Sequence, residues 1–114
     1  MTIKDIYDMS GSNYQDIISR ISSETILKKF LCKFLSDTSY SQLCNAVENR
    51  DYKEAFSAAH QLKGVSINLG FARLHSSSGK MAEELRAENY EYVEENLVQI
   101  ARDYKEICDL ILQL

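Results

Sequence analysis

An all-α fold, built as an antiparallel up-down four-helix bundle with short additional N-terminal helices, is predicted by three features of the sequence. The 114 residues include no proline and only four glycines, which disfavours turn-dense sandwiches and barrels. Apolar residues recur at helical spacing, and no alternating run is bounded by hairpin turns. The breaks are short, so the long helices must fold back on one another through tight connections. With 45% hydrophobic and 26% charged residues, the chain can fill one core and reads as a single domain, residues 1–114.

The elements follow in order. Thr2-Ile3-Lys4-Asp5 looks like a helix start, with Thr2 as cap and Asp5 in the first turn. Gly11-Ser12-Asn13 breaks the chain; Ser12 or Asn13 caps a second short helix with Tyr14, Ile17, Ile18 and Ile21 on one side. Ser22-Ser23-Glu24 opens the next segment, with the stripe Leu27, Phe30, Leu31 and Phe34. Helical phase persists through the polar Asp37-Thr38-Ser39 into Tyr40, Leu43, Cys44 and Val47. One long helix, with room for a bend, is therefore expected rather than two.

Asn49-Arg50-Asp51 is a turn, with Asp51 as cap and Glu54 as its capping-box partner. That helix runs to Leu69, where Gly70 takes the left-handed conformation that ends it. A further helix covers about Ala72 to Ala87, with Leu74, Ser78, Met81 and Leu85 in one stripe. After a turn near Asn89, the last helix carries Val93, Leu97, Ile100, Tyr104, Ile107, Ile111 and Leu114 in alternating steps of four and three. Phe30, Phe34, Tyr40, Phe56 and Tyr104 are expected in the core.

Charge and composition exclude several functions. A net charge of −4 without a basic run argues against nucleic acid. Residues 1–79 hold nine basic and eight acidic side chains, and residues 80–114 hold four and nine; the acidic excess reads as a solvated face. No stretch of about 18 apolar residues exists to span a membrane. The start, Met1-Thr2-Ile3-Lys4-Asp5-Ile6, lacks the apolar run of a signal peptide, so a cytoplasmic, free-standing protein is expected. Cys32, Cys44 and Cys108 are odd in number and form no CxxC pair; they read as reduced, buried thiols.

One histidine stands apart. Ala55, Ala58, Ala59, Leu62, Val65, Ser66 and Leu69 make one arc of their helix, and His60 projects roughly 140° from its middle, toward water. Gly64 lies one turn above His60 on that side, and Lys63 flanks both. A mid-helix glycine costs about 0.5–1 kcal/mol relative to alanine. Neither turn chemistry nor core packing asks for one here, so a functional reason is expected: a missing side chain lets something bulky approach the imidazole. At about 5 Å, the Lys63 ammonium would contribute roughly 1 kcal/mol toward an anion on the ring in water, and about 3 kcal/mol at an effective dielectric of 20. His75 has no such lysine and glycine and reads as a surface histidine. Ser76-Ser77-Ser78-Gly79 reads as small residues that allow close helix approach.

His60-Gln61-Leu62-Lys63-Gly64, followed by Gly70 and Leu74, resembles the histidine-containing phosphotransfer domain family. The likeness extends to Phe30 and Phe34, to Ala55 through Ala59, to Asn68-Leu69-Gly70-Phe71 and to Leu85-Arg86. It implies a phosphorelay intermediate that takes a phosphoryl group from a receiver-domain aspartate, or from a histidine kinase, and passes it to another receiver. His60 would be phosphorylated at Nε2, Lys63 would neutralise phosphoryl oxygens, and Gly64 would give the receiver clearance. No resident cofactor is implied, since Mg²⁺ and its acidic pocket belong to the receiver.

Two positions depart from the family pattern. Gln61 stands where a small hydroxyl residue is common, and it either bonds a phosphoryl oxygen or is solvated. Ala82 stands where a polar side chain often comes from the next helix, so Ser78 or Lys80 becomes the candidate support. Ile67 is expected to offer a receiver an apolar contact. The resemblance implies response-regulator receiver domains as partners, with a hybrid histidine kinase as a further candidate, and a monomer is expected. The chain has no Gly-rich phosphate loop for ATP. A helical adaptor that binds receivers without chemistry is the alternative. A small helical enzyme or metal carrier would need converging ligands that two histidines on different helices do not supply.

Overall fold

The computed structural model describes all residues, 1–114. Seven helices and no strand make up the chain: α1 (Ile3–Met9), α2 (Tyr14–Ile21), α3 (Glu24–Phe34), α4 (Ser39–Glu48), α5 (Tyr52–Leu69), α6 (Ala72–Arg86) and α7 (Val93–Ile111). Consecutive elements from α4 to α7 pack on one another, and α4 also touches α7. The result is an elongated helical body, 40 × 22 × 19 Å.

Side-chain caps start four of the helices where the sequence places them; α4, α6 and α7 begin without one. Thr2 and Asp5 form a reciprocal capping box on α1. Asn13, rather than Ser12, caps α2 by accepting from the Asp16 amide at 3.2 Å. Ser23 caps α3, and Asp51 caps α5 by accepting from the Glu54 amide at 3.2 Å, without the return bond to the Glu54 side chain that the expected capping box requires. Gly70 ends α5 at φ +74°.

The expected long helix over the third segment is two helices. After Phe34 the chain tightens into i to i+3 bonds: the Ser36 amide donates to Lys33 O and the Asp37 amide to Phe34 O, both at 3.0 Å. Asp37 Oδ1 then accepts from the Ser39 amide at 2.9 Å. A short polar side chain thus offers the backbone an alternative to the helical bond. Apolar phase survives the break because both helices lay Leu27, Leu31, Phe34, Leu43 and Val47 into the same core.

Three further expectations are corrected. Phe30 is 44% exposed, not core, because it sits on the edge of the α3 stripe facing a groove. Cys32 is exposed, and Cys44 and Cys108 are only half-buried, since none lies on the inward centre of its helix. Leu114 falls beyond the end of α7 and is exposed. Tyr40, Phe56 and Tyr104 are partly buried and pack against the core from its margin.

α1 and α2 close the end of the molecule where α5 turns into α6. Tyr7 is fully buried, stacks on Phe71 at 5.4 Å and donates from its hydroxyl to Leu69 O at 2.6 Å. That carbonyl belongs to the last turn of α5 and would otherwise lack a partner. Ser12 Oγ accepts from the Ala72 amide at 3.2 Å, so α1–α2 also completes the start of α6.

Candidate functional site

The site lies on the outer face of α5. Ala55, Ala58, Ala59, Leu62, Ser66 and Leu69 bury the inner face, with Val65 at its margin. Burial of that arc fixes the rotation of the helix, and with it the outward projection of His60 and Gln61, both exposed. A Cβ built on Gly64 would meet nothing within 4 Å. The glycine thus leaves open space one turn from the ring, and no packing requirement explains its presence.

The ring is not unsupported. Phe56, one turn before His60, stacks against it at 5.9 Å with the planes 19° apart. Phe56 is itself half-buried against the core, so it anchors one side of an otherwise exposed imidazole. Sequence reasoning assigned Phe56 to the core and missed this contact; its i−4 spacing from His60 was the available signal.

Lys63 leans across to α6. A Cβ on Gly79 would lie 3.5 Å from both Cδ and Cε of Lys63, so the lysine stem runs over the bare backbone at that position. Glu83 follows Gly79 by one turn and pairs with Arg86 at 2.8 Å. The Arg86 guanidinium holds the Glu83 carboxyl below the usual carboxylate range, with a smaller pull from Lys63.

The other candidates separate. Ser78 is fully buried, and its hydroxyl donates to Leu74 O at 2.5 Å. It therefore gives no support to His60, because the position lies on the inner stripe of α6. Ala82 is on the same buried stripe. Lys80 is exposed on α6. Ile67 is half-exposed, and its carbonyl accepts from Arg20 at 3.2 Å. His75 is half-buried rather than on the open surface, with its Nδ1 enclosed and without a partner.

A largely apolar groove of about 500 Å³ lies between α3 and α5, lined by Ile21, Phe30, Phe34, Val65 and Leu69 together with Lys33, Asp37 and Asn68. Val65, Asn68 and Leu69 are the α5 residues that line it, and neither His60 nor Gly64 does. No helix of the protein is long and apolar enough to cross a membrane.

A search of curated proteins and a search of solved structures return no match. A family model does match. Hpt domains act in phosphotransfer within two-component signalling, and they work with response-regulator receiver domains and histidine kinases. The model of the Hpt domain covers residues 34–111, which takes in α4 to α7 and the whole of the His60 face, and the chain therefore belongs to the Hpt domain family.

Proposed function

We propose that His60 carries a phosphoryl group between receiver-domain aspartates, or takes it from a histidine kinase and hands it to a receiver. The observation that carries this is the exposed imidazole with open space over Gly64 one turn away; Lys63 follows three residues on, its stem resting on Gly79. The unprotonated Nε2 attacks phosphorus in line; the N–P bond forms as the P–O bond to the aspartyl carboxyl breaks, and the carboxylate leaves with the electron pair. Reversal with a second receiver discharges the histidine.

Such transfer is mostly positioning and charge stabilisation, which suits a site on a rigid helix face. Lys63 faces developing charge on the phosphoryl oxygens, and Gln61 is close enough in sequence to offer them its amide. Mg²⁺ comes with the receiver's acidic pocket. Ile67, Phe30 and the groove beside α5 give the receiver an apolar seat. We read α4 to α7 as an antiparallel up-down four-helix bundle, which the closed ring of contacts among these helices supports. The protein acts as a cytoplasmic monomer.

Incubation with a receiver domain charged by labelled acetyl phosphate tests the assignment. Label is expected on the protein as an acid-labile, alkali-resistant phosphoramidate, and Glu or Gln in place of His60 abolishes it without loss of helix. Label retained by His60→Gln, or an acid-stable ester, overturns the assignment. Binding of the receiver without any label identifies an adaptor instead.

A further inference from the structure

We infer that Gly79 and Glu83 on α6 are positioning residues for Lys63: the glycine seats the lysine stem, and the carboxylate competes with the phosphoryl group for its ammonium. The inference rests on the reading of His60 as phosphoryl carrier. It concerns what sets how tightly that group is held.

The geometry begins at Gly79. Neighbouring residues on α6 are unsuitable as a seat, because Ser78 and Ala82 face the core. The three Lys63 atoms nearest the Gly79 Cβ position are Cδ and Cε at 3.5 Å and Cγ at 3.9 Å. Alanine there would make ordinary contact, whereas a branched side chain would occupy the space of the lysine methylenes. A mid-helix glycine costs about 0.5–1 kcal/mol, and here the stem of a charged side chain fills the vacant position.

Glu83 lies one turn beyond Gly79 on the same face of α6, toward which the stem of Lys63 leans. It pairs with Arg86 at 2.8 Å and makes no ion pair with Lys63, whose charge reaches it only at longer range. With His60 unmodified, Glu83 draws the ammonium toward α6. With a doubly negative phosphoryl group on the ring, the ammonium moves to that stronger charge and Glu83 falls back on Arg86. The carboxylate therefore weakens the hold on phosphate without touching it. A carrier must release its cargo, and this arrangement moderates the stabilisation that Lys63 alone would give.

The test is thermodynamic. One receiver domain, charged with labelled acetyl phosphate and freed of donor, is brought to equilibrium with each variant. The ratio of phosphohistidine to phosphoaspartate is then read. Docking affinity and folding rate do not enter that ratio. Glu83→Gln is expected to raise it about twofold to threefold, as a screened charge interaction beyond contact distance gives. Gly79→Leu is expected to lower it about threefold by displacing the lysine, while Gly79→Ala leaves it unchanged. Glu83→Asp is expected to restore the wild-type ratio, and in a Lys63→Gln background neither Glu83→Gln nor Gly79→Leu has an effect.

An unchanged ratio in Glu83→Gln, or a gain that persists in full without Lys63, overturns the inference while leaving His60 as carrier. Potassium phosphoramidate, a chemical donor to histidine, separates the two failures. If it does not label His60 in the wild-type protein, the carrier reading and this inference fall together.

Discussion

At the scale of single residues, the proposed carrier role draws on two side chains present and one absent. The inward arc of α5 turns His60 outward, Phe56 steadies one side of its ring, and Gly64 leaves the approach open. Gly64→Gln separates the requirements of folding from those of function. Glutamine is a better helix former than glycine and meets no atom at its Cβ, so stability is expected to rise by about 0.5–1 kcal/mol in urea denaturation. Transfer from a charged receiver is expected to fall at least tenfold, because the new side chain fills the approach. Loss of helix with normal transfer would contradict the clearance account. Phe56→Ala removes the stack and is expected to broaden the orientations of the imidazole, seen as a smaller chemical-shift spread of its ring protons in NMR.

The helices show which local signals prevail. Caps at Thr2, Asn13, Ser23 and Asp51 lie where sequence rules put them, because a capping side chain and its amide are three residues apart and need no tertiary partner. Asp51→Ala is expected to cost about 1 kcal/mol in denaturation midpoint analysis, with the start of α5 fraying first in hydrogen exchange. The segment from Glu24 to Glu48 misled because hydrophobic phase reports which face is buried, not whether the backbone is continuous. Asp37 and the tight turn after Phe34 divide it while leaving the phase intact. Tyr7→Phe probes a tie between elements. Removing its hydroxyl leaves the Leu69 carbonyl without a partner in a buried setting, and about 1–2 kcal/mol of stability is expected to be lost.

Across the whole molecule, aromatic rings bind the margins of the core and make stability sensitive to alkali. Tyr40 stacks on Tyr104 at 4.1 Å between α4 and α7, and burial pushes the Tyr40 hydroxyl up to about 12. Burial pushes Tyr7 and Tyr104 up as well. The folded state thus favours the protonated phenol more than the unfolded chain does. Its contribution is complete below the ordinary tyrosine value of 10 and is lost as pH rises from there through about 12. Urea midpoints are expected to fall steadily from pH 9.5 to pH 11.5, and the absorbance change of Tyr7, Tyr40 and Tyr104 is expected to accompany loss of helicity. A midpoint constant over that range would contradict the sign.

Much of this protein was legible from its residues taken in order. The all-α class, six of the helix starts, the end of α5 at Gly70 and the outward face of His60 follow from periodicity and capping, which act within a few residues of chain. The contacts across helices were not. That Lys63 rests on Gly79, that Ser78 turns inward, and that Phe30 borders a groove depend on the relative rotation of packed helices. Rotation is set by how two surfaces interlock over their whole length. No local spacing encodes it, so the outward face of His60 was readable in advance and the packing of Lys63 on α6 was not.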